Sequence, residues 1–273
     1  MSNSQFIRRT FIDGVYGQMH IRMTESQIAT PKTPLYCIHQ SPSSSIVYNA
    51  ILKTMGMDRI SAAGDTPGFG ESMAPDSVPE ITDYAHAHGV AMDAIGFNGP
   101  VDLMGFFTGS KVAIALARQR PKQVRKLILL GLPVYTKNEL IKEKKTYSEN
   151  QYTWDGAHIS KWWNHLRDNA PKNYPIELFV QHFAEIQRGG QKSWWGHRAA
   201  FNFDLETHLT RLKNPVLVLC TNDPQGRKSW RAKDLLENAE FLDVAHPGQG
   251  VMDLHTKLIT GHMREFLDRP KDE

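Results

Sequence analysis

The chain has 273 residues, of which 40% are hydrophobic and 22% charged, and its formal net charge is +3. These values are typical of an ordinary globular protein with one large α/β domain and an insertion, or with two small domains. The basic residues form no long block, so short runs such as "KEKK" at 142–145 are interpreted as solvated faces rather than as nucleic-acid-binding patches.

Cysteine use and apolar patterning bear on location and cofactors. Cys37 and Cys220 lie in apolar runs typical of strands, which favours reduced core thiols. No apolar stretch is long enough for a signal peptide or for a membrane span. No His, Cys or carboxylate cluster has metal-ligand spacing, and no glycine-rich phosphate loop follows a strand. We therefore expect a cytoplasmic protein with no metal or other cofactor and no membrane or nucleic-acid partner.

The first half of the chain alternates predicted strands and helices. Residues 6–24 alternate apolar and polar side chains around Asp13-Gly14, which predicts an antiparallel hairpin. Buried strands are predicted from short apolar runs, at 35–39, 59–65, 101–105 and 126–131. Helices are predicted from the spacing of apolar residues, at 44–55, 81–97 and 110–120.

The composition changes over 135–212, which holds five of the six tryptophans and helix-like segments around 159–168 and 176–188. The alternation then resumes, with strands predicted at 215–220 and 240–244 and helices near 228–237 and 254–268. This order predicts a mostly parallel sheet covered on both faces, with one helical insertion over the carboxyl ends of its strands.

Four stretches carry a family resemblance: "LYCIHQSP" at 35–42, "AAGDTPGFGES" at 62–72, "VDLMGFFTGSKVAIALARQRPKQVRKLILLG" at 101–131 and "NPVLVLCTNDP" at 214–224. Together they resemble the α/β-hydrolase superfamily, in its compact branch with a helical cap. The resemblance implies an α/β-hydrolase fold: a mostly parallel eight-stranded sheet with helices on both faces and a helical cap inserted after strand 6. Residues 1–134 and 213–273 would form the core, and 135–212 the cap.

The resemblance places a nucleophile elbow between Gly105 and Gly109. The middle position, which carries Ser, Cys or Asp in a hydrolase, is Phe107. A benzyl side chain has no lone pair and no ionisable proton, so it cannot form a covalent intermediate. Thr108, the next residue, is an alternative nucleophile, although the geometry of an elbow would point its side chain away from attack. Ser110 is interpreted as a helix residue that bonds local backbone.

The other two triad positions are also read from the resemblance. The acidic member falls on Asp223, and counting back from Phe266-Leu267 puts the catalytic histidine position on Gln249. Glutamine cannot accept and return a proton near neutral pH, although its amide can donate a hydrogen bond to Asp223. The resemblance thus implies a degenerate member that lacks both the nucleophile Ser and the catalytic His. His246, three residues before Gln249, is an alternative base if its loop enters the site.

What remains at the expected site points to a small apolar or aromatic ligand. The backbone amides of Ser41 and Thr108 would form an oxyanion hole. Pocket residues are expected at His39, Gln40 and Phe106, and the resemblance alternatively makes His39 a structural histidine packed behind the loop. Gln40 stands where the family usually has Gly. In the cap, His158 and His197 are candidates for polar contacts or proton transfer.

Three functions remain open from the sequence. The first is non-covalent acid–base chemistry of the lyase, hydratase, decarboxylase or isomerase type, on a small apolar or aromatic carbonyl compound, with proton transfer by His158, His197 or His246. The second is a non-catalytic protein that binds a small ligand. The third, a conventional ester hydrolase, requires a different reading of the elbow and of the histidine region. A homodimer is left open.

Overall fold

The computed structural model describes residues 6–29, 31–148, 152–246 and 248–270. The strands in this part of the chain are β1 (Arg8–Gly14), β2 (Gly17–Thr24), β3 (Lys32–Ile38), β4 (Arg59–Gly64), β5 (Val101–Phe106), β6 (Val124–Leu130), β7 (Val216–Cys220) and β8 (Ala239–Asp243). The α-helices are α1 (Asn49–Met55), α2 (Ile81–Ala94), α3 (Thr108–Gln119), α4 (Lys137–Thr146), α5 (Ala157–Asn169), α6 (Ile176–Arg188), α7 (Trp195–Asn202), α8 (Leu205–Thr210), α9 (Val251–Leu254) and α10 (Thr256–Leu267). Three 3₁₀ helices accompany them, at Ser45–Tyr48, Gly190–Lys192 and Gly226–Leu235.

The strands form one sheet in the order β1-β2-β4-β3-β5-β6-β7-β8. β2 pairs antiparallel with β1 and β4, and the remaining pairs are parallel. The mostly parallel sheet expected from the sequence is therefore confirmed. Its central strands are unbroken apolar runs because both faces are covered: every residue of β5 and of β7 is buried.

Two hydrophobic cores lie on opposite faces of this sheet. One joins the sheet to α2, α3 and the inserted α7 and α8, and the other joins it to α1, α9 and α10. Alternation along a strand explains the division, since Leu103 of β5 belongs to the first core and Met104 to the second.

The structure differs from the predicted elements in three places. The hairpin turns at Val15-Tyr16, while Asp13 and Gly14 remain in β1, because Gly17 supplies the positive φ of 98° that follows the turn. The predicted helix near 228–237 is the 3₁₀ helix Gly226–Leu235. The predicted closing helix is α10, and the short α9, which was not predicted, precedes it; His255, whose φ of −123° is not helical, separates the two.

The insertion lies between β6 and β7 and contains α4 to α8. Its helices α4 and α5 bury no residue fully, whereas α7 buries Trp195, Ala199 and Phe201, and Ala199 belongs to the first core. α7 and α8, which both pack on α3, therefore attach the insertion to the first core. Within the described ranges, the helices are too short or too polar to cross a bilayer.

Candidate functional site

The turn from β5 into α3 is sharp, and two glycines make it possible. A Cβ at Gly105 would lie 2.4 Å from the Gly109 carbonyl oxygen, and a Cβ at Gly109 would lie 2.0 Å from the Ile38 carbonyl oxygen. Phe107 stands between them with φ 45° and ψ −102°, a conformation that residues with a Cβ rarely adopt. Strain at this residue is held in place by the hydrogen bond from its amide to the Leu130 carbonyl, 3.0 Å.

The Phe107 ring lies along the floor of the cleft above the sheet. It packs on the Phe106 ring with centroids 4.9 Å apart. A Cβ at Gly131, just after β6, would meet the ring at 2.7 Å, and a Cβ at Gly248 would meet it at 2.9 Å. The ring therefore spans the space between the end of β6 and the loop before α9.

Asp223 joins that loop to the one after β7. Its Oδ1 accepts hydrogen bonds from the Gln225 and Gly226 amides at 3.0 and 2.8 Å, and its Oδ2 accepts one from the Gly248 amide at 2.9 Å. These partners are backbone groups, not the side chain of Gln249. The carboxylate thus holds two loops together directly beside the Phe107 ring.

The loop after β3 is held from behind by His39. Its Nε2 accepts the Thr66 amide at 2.9 Å, so Nδ1 carries the proton that it donates to the Gln40 carbonyl at 2.7 Å. Burial lowers the pKa of His39. Among the described residues, His39 lines neither of the main cavities, which fits the structural role that the resemblance implied. Its neighbour Gln40 lines both, and the buried Gln40 Oε1 has no hydrogen-bond donor in the described part of the chain.

Two cavities meet above the Phe107 ring, and we call them the smaller chamber, about 230 Å³, and the larger chamber, about 600 Å³. Core loops and inserted helices line both. The walls they share include Gln40, Ser41, Phe107, Tyr147, His165, His197, Gly248 and Gln249. Phe106 lines the smaller chamber and Thr108 the larger one. Ser41 thus lies where the chambers meet, and Thr108 lies in the wall of the larger chamber, directly after Phe107 in the chain.

The structure brings only one of the three candidate histidines to this junction. His197 of α7 lines both chambers, whereas His158 and His246 line neither. His158, in the first turn of α5, accepts the Thr153 amide at its Nδ1, 3.2 Å, and stacks on Tyr152. His246 stacks on His255 with ring centroids 3.5 Å apart. The spacing of residues in the sequence does not predict ring-stacking contacts of this kind.

His197 lies between aromatic rings and a buried amine. Its ring stacks on Tyr147 with centroids 4.2 Å apart and faces Phe201 at 6.0 Å. Burial and the nearby charge of Lys111 lower the pKa of His197 to about 4. At neutral pH the imidazole is therefore unprotonated, and one ring nitrogen can accept a proton.

Sequence reasoning missed Lys111, which lies one turn into α3 and lines the larger chamber. The side chain is buried, and its Nζ donates to the Ala200 carbonyl at 2.7 Å. Burial lowers the pKa of Lys111 to about 7. The signal in the sequence was a lone lysine within the apolar helix "SKVAIALA", at a position where an ordinary surface helix would expose it.

A second group that sequence reasoning missed lines the smaller chamber: Tyr174, His182 and Asp253. Tyr174 Oη lies 2.5 Å from His182 Nδ1 and 3.2 Å from Asp253 Oδ2. Burial lowers the pKa of His182 and raises that of Asp253. The three residues come from the insertion and from α9, so no local motif could have joined them.

Comparison with known proteins identifies the fold. No family model matches this chain, and no curated protein sequence matches it. An esterase from Thermogutta terrifontis is 17% identical over 96% of this chain and 98% of its own, with a TM-score of 0.77. An enol-lactonase from Burkholderia xenovorans is 13% identical over 95% and 100%, with a TM-score of 0.77. An epoxide hydrolase is 18% identical over 96% and 99%, with a TM-score of 0.74. The expected α/β-hydrolase fold is confirmed, and at these identities the likeness extends to the fold alone.

Proposed function

We propose that this protein is a degenerate α/β-hydrolase that lacks the serine triad and performs non-covalent acid–base chemistry on a small apolar or aromatic carbonyl compound beneath a helical cap. The observation that carries the proposal is the residue at the elbow. Phe107 occupies the apex of a strained turn that both glycines support, and its ring fills the floor between that turn and Asp223. A reaction at this place proceeds without an attacking side chain.

Two features supply what such a reaction needs. Ser41 lines both chambers, and Thr108, next to Phe107 in the chain, lines the larger one; in this proposal their backbone amides stabilise negative charge on a carbonyl oxygen. His197 lines both chambers, and its pKa of about 4 keeps the imidazole free to accept a proton at neutral pH. Removal of a proton beside a carbonyl, with the enolate oxygen held by the amides, uses these groups and no nucleophile.

The aromatic walls support the substrate class. Phe107 and Tyr147 line both chambers, and Trp162, Phe179 and Phe183 line the smaller one. Rings of this kind favour an apolar molecule that contains a ring itself. The buried, free thiols Cys37 and Cys220 are consistent with the cytoplasmic location that is part of the proposal.

The test is hydrogen–deuterium exchange at the α-carbon of phenylacetone in D₂O, followed by proton NMR. We expect the wild type to accelerate exchange over buffer, and His197→Ala to lower that rate by at least about 100-fold, the lower end of the usual contribution of a general base. His158→Ala and His246→Ala are the matched changes of the same residue type outside the chambers. Loss of exchange in either of these, with His197→Ala unaffected, would overturn the assignment of the base.

A fluorophosphonate probe tests the ester-hydrolase alternative directly. Labelling of the wild type would contradict the proposal, because it requires an activated serine. No labelling, together with His197-dependent exchange, is the expected pair of results.

A second candidate function is non-catalytic binding of a small apolar ligand. The observation in its favour is again the Phe107 ring, because it fills the floor of the cleft instead of leaving that space to a reacting group. Binding without chemistry would raise the melting temperature in the presence of phenylacetone while α-exchange stays at the buffer rate. That pair of results would replace acid–base catalysis with binding.

A further inference from the structure

Lys111 combines two properties that seldom occur together: its side chain is buried, yet it forms part of a cavity wall. Its relative exposure is 4%, and it lines the larger chamber, whose volume is about 600 Å³. It lies on the first turn of α3, three residues after Thr108 and four after the elbow residue Phe107. A ligand bound in the larger chamber would therefore lie next to the Lys111 amine.

The partners of Lys111 suit an amine better than an ammonium. Its Nζ donates to one carbonyl, that of Ala200 near the end of α7, at 2.7 Å. No carboxylate pairs with it among the residues that the structure describes. An ammonium has three N–H donors, so burial with one acceptor leaves donors unsatisfied, which disfavours the charged form. The pKa of about 7 expresses this balance and makes the lone pair available in a large share of molecules near neutral pH.

Aromatic rings complete the surroundings of the amine. Nζ lies 5.5 Å from the centroid of Tyr135 and 5.9 Å from that of Phe201, and both rings line the larger chamber. His197 lines the same chamber. These walls would enclose a flat ring while an unprotonated amine faces the functional group that the ring carries.

We propose that Lys111 is a covalent capture site for small aromatic aldehydes, which it binds as an imine in the larger chamber. The neutral amine attacks the carbonyl carbon, so that a C–N bond forms as the carbonyl π bond opens. The resulting carbinolamine then loses the former carbonyl oxygen with two hydrogens as water, and a C=N bond remains. No oxidant or reductant takes part. This site does not depend on the acid–base function proposed above, because it needs neither the elbow amides nor the base.

Borohydride trapping tests the capture. The full chain is incubated with benzaldehyde, reduced with sodium borohydride, and analysed by intact mass and by peptide mapping. We expect one benzyl group per chain on Lys111, with labelling that increases as the pH rises through about 7. Labelling spread over surface lysines, with none on Lys111, would overturn the proposal whatever the result of the α-exchange assay.

Lys126 provides a matched control because it too is a buried lysine that donates to backbone carbonyls. Its Nζ lies 2.8 Å from the Phe266 oxygen and 3.3 Å from the Arg269 oxygen, and it lines neither chamber. Lys111→Met should abolish the trapped adduct and Lys126→Met should retain it. Benzyl alcohol, which has the same ring without a carbonyl, should protect Lys111 in the wild type, so the test does not depend on the folding of a variant. Equal labelling with and without benzyl alcohol would contradict capture within the chamber.

Discussion

Replacing Lys111 by methionine should make the protein more stable at neutral pH, by an amount that decreases as the pH rises. Burial lowers the lysine pKa from 10.5 to about 7 in the folded chain. The unfolded state therefore binds this proton more tightly, and wild-type stability increases with pH over the interval between those two values. At about 1.4 kcal/mol per pH unit, the whole interval corresponds to about 5 kcal/mol, and at pH 7, where half of the folded molecules keep the proton, the penalty is about 4 kcal/mol.

Methionine has a similar shape and no charge, so Lys111→Met removes this penalty and loses one hydrogen bond, to Ala200, worth about 1 kcal/mol. The free energy of unfolding of the variant should then exceed that of the wild type by about 3 kcal/mol at pH 7. This difference should fall by about 1.4 kcal/mol per pH unit toward pH 9. Urea denaturation of both proteins at several pH values measures this difference, because the contributions of the other titrating groups are the same in the two proteins and cancel. Lys53→Met, at an exposed lysine, controls for the change of residue type. A difference between Lys111→Met and wild type that stays constant with pH would refute the reasoning.

Three further predictions concern the elbow and its surroundings. Gly109→Ala should destabilise the fold by about 3 kcal/mol or more in urea denaturation, because the new Cβ would lie 2.0 Å from the Ile38 oxygen. The control is Gly261→Ala on α10, which should stabilise the fold by about 0.5–1 kcal/mol because its Cβ meets nothing within 4 Å. Asp223→Ala should lower the free energy of unfolding by about 3 kcal/mol in the same assay, because three backbone amides lose their acceptor. An unchanged free energy of unfolding would mean that water replaces the carboxylate. Phe107→Ser should remain unlabelled by a fluorophosphonate probe, because Gln249, at the position where the resemblance expects the histidine, cannot activate the new hydroxyl. Brisk labelling would show that His197 or another base reaches this hydroxyl.

The order of strands and helices was predictable from the sequence because it depends on short-range patterns, and the sharp turn between Gly105 and Gly109 was expected from the family resemblance. Unbroken apolar runs specify strands buried on both faces, and the spacing of Gly105 and Gly109 marks the place where α3 approaches β3 and β5. The same local reading placed Asp223 on the loop after β7. Local reading could not show that the Asp223 carboxylate accepts hydrogen bonds from backbone amides, because the Gly248 amide belongs to a loop that is distant in the sequence.

The composition of the candidate site depended on contacts between distant segments. His158, His197 and His246 look alike as sequence, yet only His197 faces the chambers, because α7 packs against α3 while the other two histidines stack on rings near the surface. The group formed by Tyr174, His182 and Asp253 likewise exists only after the insertion closes over α9.

The sequence by itself thus determined the order of strands and helices and the benzyl side chain at the apex of the elbow, since these follow from local periodicity and from residue identity. Only the tertiary structure decided which polar side chains line the two chambers, and with what charge. Burial and contacts across the chain set both, and for that reason Lys111, in the wall of a cavity, has a pKa lowered to about 7.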